Sequence, residues 1–403
     1  MKKTVKALCF CLIALAVSVM SAVVYGFYSL PDEIYSLCDT QLDIGFYTWS
    51  VKGNDTKASK AMTVEGEYCL NISLFNTVPV KSSNLTVSNR RYVVPSGEIV
   101  GLRLFTDGVM VVGIDVVDGE RGRENPAQQA GIKKGDVITM LDGKRVENSA
   151  QVEAIIASCG GRALSVEFNR NGAKHQSSIC PVYSVTAERY KTGLWIRDSA
   201  AGIGTMTFFD KETGFFACLG HAVCDIDTGE ILPLSGGDIV GAGITGCIKG
   251  KAGSAGELCG SFENRREGLL YINDEAGAYG YLENIPVDEN ALPVALKSEV
   301  KEGKAQIIST VEGTSRAYYD IEIEKLNADG RDGKNMVIKI TDIELISKTG
   351  GIVQGMSGSP IIQNGRLVGA VTHVFLNDPT RGYGIFAETM LQKERDITLS
   401  AAG

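Results

Sequence analysis

The chain has 403 residues, 44% hydrophobic and 22% charged, an ordinary globular composition with room for two or three domains. Its net charge of −8 offers no basic footprint, which argues against a nucleic-acid partner. Only three histidines occur, His175, His221 and His373, so any chemistry that needs an imidazole has few candidates.

At the N-terminus, Met1-Lys2-Lys3-Thr4-Val5-Lys6 precedes an uncharged stretch that runs to Pro31. Its strongly apolar part, Ala7 to Val24, is 18 residues, at the lower edge of a membrane span and longer than most signal-peptide cores. Residues 1–31 are therefore expected to form a signal-anchor, with the lysines held inside and the rest of the chain exported. Small residues near Ser18 and Ser21-Ala22 leave cleavage open, but an uncleaved anchor is favoured over a cleaved signal. Of ten cysteines, two lie inside this segment, and the spacing of the other eight is not that of a small disulfide scaffold. Mostly free thiols are expected. Residues 32–95 are polar with short β-like runs such as Tyr68–Leu74, and read as a linker or an accessory β region.

Residues 96–183 carry a more definite order. Val100-Gly101-Leu102-Arg103-Leu104 leads to the strand-like Gly108–Ile114, then to Ala130-Gly131-Ile132-Lys133-Lys134-Gly135-Asp136-Val137-Ile138. An Asp142-Gly143 hairpin signal follows, then Ser149–Ser158 with Val152, Ile155 and Ile156 at helical spacing. This order resembles a PDZ domain. By position, the loop that holds a ligand carboxylate in such domains is Ile99-Val100-Gly101-Leu102, with the peptide adding a strand beside it. An internal segment of the same chain is the other candidate occupant.

From residue 186 the pattern is all-β, with many short apolar runs separated by Gly-rich turns, a sandwich or barrel of its own. Near its end stands Gly355-Met356-Ser357-Gly358-Ser359-Pro360, before the strand-like Ile361-Ile362 and Leu367–Val371. This hexapeptide resembles the nucleophile loop of chymotrypsin-like serine peptidases. Its glycines permit a sharp turn that leaves backbone N–H groups aimed at a substrate carbonyl beside the Ser357 hydroxyl. Gly355 and Ser357 are the expected oxyanion donors, and Ser359 is expected to shape the loop.

A serine needs a nearby base. His175 lies in polar sequence and reads as surface. His221 leaves a strand at Leu219-Gly220-His221, a position suited to presenting an imidazole at a domain edge. His373, at the end of the Leu367–Val371 run, is the second candidate. For an orienting acid, Asp225 and Asp227 sit in a turn where Asp is normal for backbone reasons. Asp342 instead interrupts the β-like Val337–Leu345, where an acid is costly unless paired, so Asp342 is the expected third member. Cys218-x2-His221-x2-Cys224 has the look of a zinc site but lacks a second ligand pair, so neither a metal nor another cofactor is expected.

Gly193–Thr205, Leu219-Gly220-His221, Gly350–Pro360 and Ala370–Phe375 resemble the stage IV sporulation protein B family. The resemblance implies a mainly β chain: an N-terminal membrane segment (1–31), the accessory region (32–95), a PDZ domain (96–183) and a chymotrypsin-like double-barrel serine peptidase domain (186–403). It implies Ser357 as nucleophile, His221 as base and Asp342 as orienting acid. It also implies a setting: secretion into the space between forespore and mother cell. There such peptidases cleave themselves and a membrane-bound regulator, activating sigma-factor processing. The rival expectation is a non-enzymatic exported PDZ scaffold with a degenerate peptidase domain.

Overall fold

The computed structural model describes residues 2–38, 42, 44–52, 64–287, 290–327, 330 and 333–401. Residues 1–91 and 92–403 form two compact units. The first holds helix α1 (Lys2–Ser29) and strands β1 (Glu33–Leu37), β2 (Tyr47–Val51), β3 (Gly66–Leu74) and β4 (Val78–Ser88). The strands form one sheet in the order β1-β4-β3-β2, with β1 and β4 parallel. Alternation along β3 and β4 buries Leu70, Ile72, Leu74, Leu85 and Val87, so this accessory region has its own small core. Within α1, Cys9–Ser29 is long and apolar enough to cross a membrane by length and composition, with mean hydropathy 2.3. Phe10, Leu12, Ile13, Leu15, Val17 and Met20 of that helix are exposed.

The second unit is built on two closed barrels. Strands β5 (Ile99–Ile114), β6 (Val137–Leu141), β7 (Leu164–Arg170) and β8 (Ala173–Ile179), with helix α2 (Ser149–Ser158), make the PDZ-like module. Its core gathers Val109, Val111, Ile138, Leu141, Val152, Ile156, Leu164 and Val166. Next come β9 (Leu194–Phe209), β10 (Phe215–Cys218), β11 (Leu234–Ile248), β12 (Glu257–Asp274) and β13 (Gly277–Leu282). These pair in the order β5-β11-β12-β13-β10-β9, and a further pairing of β9 with β5 closes the ring. The second barrel is β14 (Gly303–Thr310), β15 (Arg316–Leu326), β16 (Met336–Ile340), β17 (Pro360–Gln363), β18 (Arg366–Phe375) and β19 (Asp378–Phe386), closed in the order β14-β15-β16-β19-β18-β17. Helix α3 (Ile343–Thr349) joins β16 to the segment that leads to Ser357, and α4 (Ala387–Ala401) follows the last strand. Closure leaves neither barrel an open edge along its ring.

Strand β5 serves both modules. Its far end, Val109 and Met110, pairs with β6 of the PDZ-like sheet. Its near end, Ile99 to Thr106, pairs with β9 on one side and β11 on the other. This corrects the expected carboxylate loop. Gly101 lies between Ile203 and Val240, and Leu102 between Gly202 and Ile239, so Val100-Gly101-Leu102 is a doubly paired barrel strand, with Ile99 opposite Thr205, not a ligand loop. The groove between β5 and α2 is filled from within the chain by β9. Leu194 pairs with Ile114, Ile196 with Val111 and Arg197 with Met110, and Leu194 and Ile196 pack against the PDZ-like core. Ser149 N at the start of α2 donates to Asp198 Oδ2 (2.7 Å), and Thr106 Oγ1 donates to Asp198 O (3.1 Å).

Candidate active site

Ser357 is set outward by burial on both sides of it. Met356 is fully buried in the second barrel's core, and Ser359 is buried with its Oγ donating to Ser309 Oγ (3.0 Å). Turn bonds Met356 N to Val353 O (3.1 Å) and Ser359 N to Met356 O (3.0 Å), with Gly358 N to Val371 O (2.8 Å), fix the loop. Gly355 and Gly358 both have φ of +97°, a conformation that side chains disfavour. A methyl group on Gly358 would fall 2.6 Å from Leu219 N and nearer still to Thr205 O, so only glycine fits there. Strand β9 anchors the loop from the first barrel. Thr205 N donates to Ser357 O (3.1 Å) and Thr205 Oγ1 donates to Gly355 O (2.7 Å). Among the described residues, the N–H groups of Gly355 and Ser357 have no hydrogen-bond acceptor, whereas those of Met356, Gly358 and Ser359 are taken.

His221 leaves β10 through a tight turn in which Leu219 and Gly220 both have positive φ, +70° and +71°. Gly220 lies against Thr372 and Ile385 of the second barrel, which brings the two barrels' chemistry to one cavity. That cavity, of about 430 Å³, is lined by Ser357, His221 and His373 together, so both candidate bases from the sequence arrive there. The two imidazole rings are 4.8 Å apart between centroids and inclined by 37°. His221 Nδ1 lies 2.8 Å from Ala222 O. A carbonyl only accepts, so Nδ1 carries the proton and Nε2 is left with the free lone pair. Burial lowers the His221 pKa below its ordinary 6.5, and the Ala222 carbonyl offsets this in part, which keeps the ring neutral and basic near pH 7. Ser357 Oγ itself donates to Thr372 O (2.7 Å), so its proton is engaged by that carbonyl.

The structure does not bring Asp342 to this cavity. Strand β16 ends at Ile340, and Asp342 is the N-cap of α3, its Oδ1 accepting from Leu345 N (2.9 Å) and its Oδ2 from Asp320 N (3.3 Å). The acid in an apolar run is there to satisfy orphan amides of a helix start, not an imidazolium. Asp225 and Asp227 are held by Arg197, and Asp225 Oδ1 also accepts from the N–H groups of Asp227 (3.0 Å) and Thr228 (2.8 Å). Among the described residues, burial and the Ala222 carbonyl account for the behaviour of His221, and no carboxylate does. The orienting contact is the Ala222 carbonyl.

Asn273, which sequence reasoning missed, holds the loop that follows His221. Its Oδ1 accepts from Val223 N (2.8 Å), while Nδ2 donates to Val223 O (2.9 Å) and Leu232 O (3.0 Å). Its partners are 50 and 41 residues away, so no local pattern marks it. His175 is exposed on β8 and stacks on Phe168, 5.4 Å between centroids. Cys218 is fully buried, and burial pushes its thiol pKa upward, away from the thiolate that a zinc site needs. Among the described residues no three His, Cys, Asp or Glu side chains converge as a metal site.

Comparison with known proteins gives short matches to curated relatives. A serine protease Do-like HtrA from Lactobacillus helveticus is 49% identical over 51 residues, 12% of each chain. The zinc metalloprotease RasP from Shouchella clausii is 31% identical over 80 residues, 20% of this chain and 18% of that one. The chain thus spans under a fifth of the length of these relatives. Among solved structures, the PDZ domain of an SdrC-like protein from Listeria monocytogenes aligns at 22% identity and TM-score 0.19, over 22% of this chain and 87% of that one. The active form of the Rv3671c protease from M. tuberculosis aligns at 14% identity and TM-score 0.30, over 49% and 74%. Residues 100–179 match the PDZ domain family. Residues 188–391, half of the chain and the segment that carries both His221 and Ser357, match SpoIVB peptidase S55, and the chain belongs to that family.

Proposed function

We propose that this chain is an exported, membrane-tethered serine endopeptidase. In this reading it cleaves itself and a membrane-bound regulator in the space between forespore and mother cell, signalling sigma-factor activation during sporulation. Family membership and the apolar N-terminal helix support the setting. The observation that carries the chemistry is the convergence of Ser357, a neutral His221 and two unengaged N–H groups at one cavity.

The reaction is acyl transfer. Ser357 turns about χ1 from Thr372 O towards His221 Nε2, giving up one neutral hydrogen bond at a cost of about 1 kcal/mol. Nε2 takes the hydroxyl proton as Oγ bonds the peptide carbonyl carbon. The carbonyl oxygen gains the negative charge and accepts from Gly355 N–H and Ser357 N–H. The imidazolium then protonates the amine as the C–N bond breaks, leaving an acyl-enzyme. Water, deprotonated by the same Nε2, hydrolyses the ester and restores Ser357. Throughout, the Ala222 carbonyl keeps Nδ1 protonated, a role that a buried carboxylate fills in other serine peptidases.

The filled PDZ-like groove supplies the control. A peptide that competes for the β5 edge must displace β9 near Leu194–Ala201, and β9 continues to Thr205, which holds the nucleophile loop. Purified full-length protein is expected to fragment itself over time, while Ser357→Ala folds and stays intact. Equal fragmentation of both would remove Ser357 from the mechanism, and no fragmentation of either would favour the scaffold reading.

A further inference from the structure

The cavity at Ser357 carries information about the substrate. Its lining beside Ser357 includes the apolar Ala255, Ile352, Val353, Val374 and Leu376. No Asp, Glu, Lys or Arg is among the described residues that line it. A substrate carbonyl held by the Gly355 and Ser357 N–H groups fixes the residue that bears it. Once Ser357 has turned to the base, Thr372 O, which also lines the cavity, is free to accept that residue's own N–H. One residue bound at both points has its side chain in the cavity that Ile352, Val353, Val374 and Leu376 line.

We infer that the peptidase selects an uncharged, apolar side chain on the residue that donates the scissile carbonyl. This inference deepens the peptidase reading and rests on it. A cavity of about 430 Å³ holds one such side chain with its backbone, and apolar walls reward burial of methyl and methylene groups. An ammonium or carboxylate placed there gives up part of its water and meets no opposite charge from an Asp, Glu, Lys or Arg among the described lining residues. The neighbouring cleft of about 830 Å³ shares Gly202, Ile203 and Gly355 with this cavity but includes Arg197, Asp225 and Glu257, so charge is tolerated further along the bound strand.

The test uses the full-length chain in detergent micelles and peptidyl diphenyl phosphonates that differ only in the residue at the reacting phosphorus: Val, Leu, Lys or Asp. Ser357 Oγ bonds phosphorus, phenoxide leaves and the proton passes to His221, so labelling rate reads selectivity without turnover. The Val and Leu probes are expected to label about 100-fold faster than the Lys and Asp probes. A ratio below about tenfold overturns the inference. A small fluorophosphonate without a side chain runs in parallel as the reference. If it fails to label Ser357, the peptidase reading itself falls and the selectivity with it. If it labels while the peptidyl probes show no preference, only the selectivity falls. Leu376→Asp, at a position 59% exposed, is expected to raise the Lys-probe rate relative to that reference about tenfold, and an unchanged ratio would remove Leu376 from the selecting wall.

Discussion

Asp342→Asn separates the two roles assigned to this residue by sequence and by structure. If the carboxylate oriented the base, an amide would impose the wrong tautomer on the imidazole and kcat would fall about 10⁴-fold with little change in stability. In the structure the side chain accepts from Leu345 N at 2.9 Å as a helix N-cap, a role that Asn and Asp fill about equally well. The weaker contact from Asp320 N, at 3.3 Å, is the only bond the amide need lose. Asp342→Asn is therefore expected to retain kcat/KM within about threefold of wild type, the effect of a few tenths of a kcal/mol. Asp342→Ala removes the cap and should cost about 1 kcal/mol of stability, a fall in Tm of roughly 2–4 °C for a unit of this size. Peptide hydrolysis and thermal unfolding of the three proteins side by side give the answer. A loss of about 10³-fold or more in Asp342→Asn at unchanged Tm would refute the capping account.

Thr205→Val keeps the shape of a fully buried residue but removes the bond from Oγ1 to Gly355 O. Leaving that carbonyl unpaired should cost about 1–3 kcal/mol in urea unfolding and slow fluorophosphonate labelling of Ser357, and wild-type values for both would deny the anchor. Gly358→Ala forces a methyl group against Thr205 and Leu219 backbone at positive φ. A loss of about 2–4 kcal/mol, or a labelling rate lower by about 100-fold if the loop shifts instead, is expected from the same two assays. His221 must be neutral to act, and burial lowers its pKa, so the acid limb of kcat/KM should have its midpoint below pH 6.5. A midpoint above that value would mean that a carboxylate supports the imidazolium after all.

The nucleophile loop was legible because its requirement is local. Two glycines at positive φ hold Ser357 between buried Met356 and Ser359, and the strand exit at Leu219-Gly220 brings His221 to the same cavity. The acid was not legible, since an Asp in an apolar run satisfies either an imidazolium or a helix start. That choice depends on where the backbone turns after Ile340. Asn273 was invisible for the opposite reason: all its partners are remote in sequence. The ligand loop at Ile99–Leu102 was misplaced because a pattern that fits one module can be claimed by two, and β5 belongs to both.

That shared strand also explains how the modules can act on each other without a hinge between them. An insertion linked by a flexible tether could exchange its ligand with no consequence for the catalytic loop. Here the segment in the groove and the segment that holds Gly355 and Ser357 are one strand, β9, paired with β5 in stretches between Ile114 and Ile99 that are separated by register shifts at Trp195/Ile196 and Arg197/Ser199. In the proposed control, a peptide that displaces β9 near Leu194 acts on the same strand that fixes Thr205, and so competes with the order of the Gly355 and Ser357 N–H groups. Reciprocity then requires that a substrate which tightens the nucleophile loop also strengthens the hold of β9 on the groove.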